Sequence, residues 1–217
     1  MIYDLRQYTL LPGQRDTLIE LFEREFVESQ EAAGMRVNGT FRVEGAPDRF
    51  TWLRSYPSMA ARKDALEAFY DGPVWLAHRD AARVTMADTD DVLLLHSVGA
   101  ELPEWERPAV GATERPSSLY VATIYHVEDG FSAFFAREVA PVLVEAGVPP
   151  IACLETEHSE NNFPRHPIRT GENVFVWFAR FETAEDEREV ELPMVKPRLT
   201  AAPERILLRP TARSAMR

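Results

Sequence analysis

Five histidines (His78, His96, His126, His158 and His166), one cysteine (Cys153) and arginines interleaved with tyrosine and tryptophan are the residues of this 217-residue chain best equipped for chemistry. Their spacing fixes no reaction. The chain has no HExxH, CxxC, GxGxxG or Walker loop, so zinc-hydrolase, dinucleotide and P-loop chemistry lack support, and neither a metal nor a cofactor is expected. His78 follows Trp75 by three residues on one helical stripe. A lone histidine there is more often a packing or capping residue. It is still the first choice of the five as a catalytic base, because an edge helix can reach a cavity mouth. Cys153 sits mid-strand without a thiolate-stabilising neighbour in sequence and reads as a small buried apolar residue.

The arginines are more informative because they alternate with aromatics on strand-like segments. Successive strand residues point to opposite faces, so Arg6 and Tyr8 share one face, as do Trp52, Arg54 and Tyr56. The plainer aliphatic face, with Leu5, Phe41, Val43 and Leu53, is expected beneath helices. That sends Arg6, Tyr8, Arg42, Trp52, Arg54 and Tyr56 to the opposite face. The same sorting downstream sends Thr123, Tyr125, Cys153, Glu155, Glu157, Trp177 and Ala179 the same way. Two readings stay open. Arg42 and Glu155 pair and satisfy buried charges that would otherwise be expensive. Alternatively, surplus arginine, with Tyr8 and Trp52, holds an anionic or polar aromatic ligand, since guanidinium suits an oxyanion and indole offers a stacking face.

The elements that position these residues occur twice. Leu21-Phe22-Glu23-Arg24-Glu25-Phe26 reappears as Phe134-Phe135-Ala136-Arg137-Glu138-Val139, and at the same offset Ala33-Gly34-Met35 lines up with Ala146-Gly147-Val148. Tyr3 and Tyr8 correspond to Tyr120 and Tyr125, and Phe50-Thr51-Trp52 to Phe175-Val176-Trp177. A duplication explains the shared order. In the first copy, alternation predicts strands over 2–10, 36–44, 49–56 and 91–98. Helical spacing predicts a helix over 14–33 with Gly34 as its C-cap, and a second helix that starts at Ser58 and breaks at Asp71-Gly72-Pro73. In the second copy, strands are expected near 118–127, 150–158, 173–181 and 204–209. A helix over 130–146 should be kinked by Pro141, and residues 183–200 should be short or irregular because of Pro193 and Pro197. Each copy reads β-α-β-β-α-β, the ferredoxin-like order. The expected organisation is therefore a unit at 1–98, a linker at 99–117 and a unit at 118–217.

One asymmetry stands out. Six positions separate Glu44 from Phe50, but eighteen separate Glu157 from Phe175, so the second hairpin carries twelve extra residues. The inserted loop at 159–172, with Arg165, His166 and Arg169, is expected to fold over an open end of a barrel and present Arg165 or His166 to a ligand.

The net charge of -11 argues against nucleic acid and against an anionic membrane surface. One cysteine excludes an intramolecular disulfide. With neither a signal-like segment nor a membrane-length apolar run, a cytoplasmic location is expected, and the Asn38-Gly39-Thr40 sequon is read as chance.

Tyr3-Asp4-Leu5-Arg6-Gln7-Tyr8-Thr9-Leu10-Leu11-Pro12-Gly13, then Trp52-Leu53-Arg54-Ser55-Tyr56 and Met59-Ala60-Ala61-Arg62, resemble the NIPSNAP family. The resemblance covers 1–98 well and 118–210 more weakly. It implies an α+β fold in which two tandem ferredoxin-like βαββαβ units form an intramolecular dimeric α+β barrel. Relatives in that superfamily include cofactor-free monooxygenases, haem-degrading enzymes, dehydratases and proteins without known chemistry, so the fold is implied and the reaction is not. The expected function is small-molecule binding, extending to a cofactor-independent, monooxygenase-like enzyme on a polar or aromatic metabolite. The alternative is a non-catalytic binding or scaffold protein. His78 is the expected catalytic residue. Arg6, Tyr8, Arg42, Trp52, Arg54, Tyr125, Glu155, Trp177 and His166 are the expected binding residues. A small-molecule ligand is the expected partner, and assembly into a further homo-oligomer stays open.

Overall fold

The computed structural model describes residues 1–99 and 101–217; of the expected linker, Ala100 lies outside the described residues. Strand β1 (Ile2–Leu10) is followed by a helical rod: α1 (Arg15–Leu21), a π-helical turn (Phe22–Phe26) and α2 (Val27–Ala32). Gly34, at φ +99°, ends the rod in the left-handed conformation that glycine adopts without strain. Strands β2 (Arg36–Val43) and β3 (Arg49–Tyr56) form a hairpin. Helix α3 (Met59–Tyr70) starts where Ser58 Oγ accepts from the Ala61 amide at 3.2 Å. It breaks at Asp71-Gly72, and α4 (Pro73–Arg83) restarts with proline in its first turn. The short β4 (Met86–Asp88), which alternation did not predict, and β5 (Val92–Ser97) follow.

The second half repeats that order with one substitution. Strand β6 (Leu119–His126) leads into α5 (Phe131–Phe134), a π-helical turn (Phe135–Val139) and α6 (Ala140–Glu145), then β7 (Ala152–Thr156), β8 (Val174–Phe181) and β9 (Glu204–Pro210). Where α3 and α4 would recur, only two single 3-10 turns form, at Ala184–Asp186 and Lys196–Arg198. The irregular segment expected around Pro193 and Pro197 is borne out. The π-helical turn next to Pro141 has another cause than the proline, because the matching turn at Phe22–Phe26 contains none.

The strands close on themselves. The first half supplies the order β5-β1-β3-β2 and the second β9-β6-β8-β7. They join at two antiparallel seams, β2 with β9 (Phe41 opposite Pro210) and β5 with β7 (His96 opposite Glu155). The result is an eight-stranded barrel, with β4 added against the end of β1.

Eight strands leave room only for side chains inside. Leu5, Phe41, Leu53, Leu93, Leu95, Tyr120, Val176, Phe178 and Leu208 fill the barrel, and Met216 of the C-terminal tail packs with them. This reverses the face expected for the arginines. Tyr8, Phe50, Trp52 and Tyr56 lie against Leu18, Phe22, Phe26 and Leu66 on the helix-covered side, and Tyr125 and Trp177 lie against Phe131, Phe135 and Leu143. The reason is physical. A closed lumen reaches neither solvent nor other elements that could satisfy a guanidinium, so it accepts the aliphatic face. The space beneath the helices can hold polar groups, because helices and loops bring partners to them.

Candidate functional site

The opposed pairs Asp4–Arg54 and Arg6–Trp52 of β1 and β3 form the floor beneath the first helices. Asp4 is fully buried, yet it is the hub of the floor. Its Oδ2 accepts from Arg54 Nε at 2.9 Å and Tyr56 Oη at 3.0 Å, and its Oδ1 accepts from Arg62 Nε of α3 at 3.1 Å. Arg6 Nη1 lies 4.0 Å from the same carboxylate. Burial alone would raise the Asp4 pKa, but Arg54, Arg62 and Arg6 outweigh it and hold the carboxyl well below its usual range. Burial likewise opposes the charge on Arg54, and the ionised Asp4 carboxylate against it favours that charge.

The remaining contacts of the cluster reach outward. Arg54 Nη1 donates to Gln30 Oε1 of α2 at 3.1 Å, and Arg6 Nε to Tyr8 Oη at 3.1 Å. The Arg54 guanidinium lies 4.9 Å from the centre of the Trp52 ring, within cation–π range. Several buried nitrogens find no acceptor: Arg6 Nη1, Arg62 Nη2, Gln30 Nε2 and Trp52 Nε1.

Above this floor is a cavity of about 350 Å³, walled by Tyr8, Trp52, Phe22, Phe26, Gln30, Phe69, Tyr70 and Trp75. Arg79 and Arg83 of α4 add to its wall. The inserted loop of the second half roofs it. Phe163 stacks on Tyr70 at 5.8 Å and 24°, and His166 lies against the same ring at 4.1 Å. Arg165 grips Asp71 through two hydrogen bonds of 2.9 and 3.2 Å, and Asn161 and Asn162 accept from Arg62. Burial and the nearby Arg6 and Arg54 push the His166 imidazole down to about 3, so it is neutral near pH 7. The loop thus covers the helix-side cavity of the first half and not a barrel end.

The other expected site residues are distributed unevenly. His78 is on α4 but turns outward, 3.5 Å from Glu25 and edge-on to Phe26, and it is not among the wall residues. Arg42 and Glu155 do not meet: Arg42 pairs with Asp16 at 3.0 Å, and Glu155 takes His96 at 3.1 Å across the β5–β7 seam. Arg42 borders a larger, shallow surface groove of about 580 Å³ whose wall is arginine, glutamate and loop backbone without aromatic rings. Tyr125 and Trp177 occupy the positions of Tyr8 and Trp52 in the second half. Val121, Thr123 and Ala179 stand there in place of Asp4, Arg6 and Arg54, and Val190 and Leu192 pack into the space, leaving about 90 Å³. Burial pushes the Cys153 thiol up to about 12, as suits an inert packing residue. Sequence reasoning missed Asp4, Gln30 and Arg62. Asp4 alternates with Arg6 and Tyr8, and a carboxylate on that arginine-bearing face was the available signal.

A closed eight-stranded barrel with helices outside it and a cavity between helix and sheet defines the class: this is a dimeric α+β barrel fold held within one chain. Within that class, residues 3–96 match the NIPSNAP family model. Solved structures share the architecture at low identity. A candidate monooxygenase from Fusobacterium nucleatum superposes with a TM-score of 0.61 at 9% identity, covering 97% of this chain and 92% of its own. A second candidate monooxygenase, from Lactobacillus acidophilus, gives 0.60 at 13% identity, covering 99% and 96%. An anthrone oxidase-like protein gives 0.57 at 14%, covering 100% and 94%. No curated protein matches the chain in sequence. Among the described residues no helix is long and apolar enough to cross a membrane, and no cluster of His, Cys, Asp or Glu is arranged to hold a metal.

Proposed function

We propose that this chain binds a small polar or aromatic metabolite in the first-half cavity and acts on it as a monooxygenase-like enzyme that needs no resident cofactor. The observation that carries the reading is the cavity itself: about 350 Å³, with seven Phe, Tyr and Trp residues in its wall, and with Trp52 and Gln30 of that wall each holding a buried N–H without a partner. A substrate able to stabilise its own carbanion can react with dioxygen once it is positioned, so the protein need supply only orientation and a charged floor. The monooxygenase and oxidase names of the structural neighbours favour this reading over other chemistries. Non-catalytic binding is the second reading, favoured by the histidines: His166 is held neutral, and His78 turns to Glu25 and is not among the wall residues.

The test combines binding with oxygen uptake. Hydroxylated aromatic compounds should quench the fluorescence of Trp52 and Trp75, and a subset should consume oxygen when the protein is added. Leu76→Trp, which adds bulk to the cavity wall, should abolish both. Quenching without oxygen uptake across the panel establishes the binding protein. Quenching unaffected by Leu76→Trp places the ligand elsewhere and ends the proposal.

A further inference from the structure

The floor of the cavity carries more positive charge than its own carboxylate neutralises. Arg6, Arg54 and Arg62 are at most 1% exposed, and Asp4 is the one carboxylate that each meets among the described residues. The neighbouring phenols cannot close the gap, because burial raises the pKa values of Tyr8 and Tyr56 and keeps both neutral. His166 is neutral as well. Buried charge without a counter-charge is costly, and here it persists next to a cavity.

The groups placed to use that charge are two neutral donors. Gln30 and Trp52 are 0% and 2% exposed, and both line the cavity. Arg54 holds Gln30 Oε1, which fixes the amide so that Nε2 points away from the arginine, where it has no acceptor. Trp52 Nε1 is also unpaired. The guanidiniums themselves are turned mainly to protein groups, with Arg6 Nη1 and Arg62 Nη2 left without an acceptor. Arg54 spends its edges on Asp4 and Gln30, Arg62 on Asp4 and the two asparagines, and Arg6 on Tyr8 and the Thr89 carbonyl. No free two-pronged edge remains for a carboxylate. What the floor offers instead is two single N–H donors, on Trp52 and Gln30, with buried cations behind them, each suited to one oxygen.

Building on the proposed function, we infer that the substrate is an acidic phenol or enol bound as its oxyanion, with O⁻ against Trp52 Nε1 and Gln30 Nε2 and its ring between the aromatic walls. Binding breaks the ligand O–H bond: the electron pair stays on oxygen and the proton passes to solvent, with no change in oxidation state. The bound anion is the electron-rich form that an oxygenation would need.

The probe is 4-nitrophenol, whose phenol and phenolate differ in absorbance, titrated against pH with the full chain in excess. The expected result is an apparent pKa at least one unit below that of the free compound, equivalent to tenfold or greater preference for the phenolate. Trp52→Phe and Gln30→Leu should each reduce that preference several-fold while the melting curve shows a folded protein. Arg137→Gln, an exposed position on the second-half helical rod that pairs with Glu138, should leave it within twofold. The methyl ether 4-nitroanisole fills the same space without an ionisable proton and should bind at least tenfold more weakly at pH 8. Equal affinity for ether and phenol overturns the oxyanion inference and leaves the cavity as the binding site. If neither compound binds, the cavity reading fails and this inference falls with it.

Discussion

Asp4 is the single residue on which the floor depends. It is the shared counter-charge of three buried guanidiniums, so its loss strands all of them. Asp4→Asn should cost roughly 3–5 kcal/mol, read from denaturant unfolding, because removing one partner of a buried pair leaves uncompensated charge. Arg54→Ala should also be strongly destabilising; unchanged stability would mean that the cluster relaxes to solvent. His166 makes a different prediction. Its pKa falls from 6.5 to about 3 in the fold, so the neutral form is the one the fold favours. The stability it contributes is present above pH 6.5 and is lost as pH falls toward 3, since the unfolded or undocked loop takes up the proton first. At pH 5 the loss is about 2 kcal/mol. Hydrogen exchange across 159–172 should accelerate as pH drops, after correction for intrinsic rates, and His166→Phe should remove that acceleration.

At the scale of elements, the inserted loop joins the halves functionally. Phe163 is buried against Tyr70, and the Arg169 amide donates to the Val92 carbonyl at 2.8 Å. Replacing 160–170 by a short glycine-containing turn removes one fully buried aromatic, worth about 2–3 kcal/mol. The melting temperature should drop by several degrees, and the cavity should lose its roof, so 4-nitrophenol should bind more weakly. A shortened protein with parental affinity would make the loop a structural strap only. The elements themselves were legible in the sequence: alternation located β1 and β3 at their observed bounds, and Ser58 and Gly72-Pro73 bracketed α3 and opened α4. The facing of the strands was not. Alternation separates Leu5 from Arg6 but does not say which side becomes the lumen; that is decided by closure of strands far apart in the chain. For the same reason Arg42 and Glu155 looked like partners, although each finds a different partner, Asp16 and His96, on a neighbouring element.

At the scale of the molecule, we read residues 1–98 and 118–217 as two copies of one unit that share a barrel interior. Residues 1–98 alone expose the edges β2 and β5 and the apolar face of Leu5, Phe41, Leu53, Leu93 and Leu95. Expressed separately, they should form a homodimer by light scattering, with a second copy supplying both seams. A folded monomer would contradict a shared interior. The repeated order of landmarks was visible in the sequence, but the difference between the halves was visible only in part. The replacement of arginine by threonine and alanine could be read directly. The collapse of the second cavity around Val190 and Leu192 could not, because that segment has no regular periodicity.

The seam between β2 and β9 sets Phe41 opposite Pro210. On a ribosome the first half is complete at Ser97, but its edge strand waits for a partner more than one hundred residues downstream. At ~5–20 residues per second that wait is roughly 6–20 s, long compared with the microsecond scale of a hairpin. During that interval the future lumen is a sticky, unpaired sheet, and on a polysome the nearest matching edge belongs to the nascent chain alongside. Yield in the cell should therefore respond to translation speed and to chaperones that shield strand edges, even where the finished protein is stable.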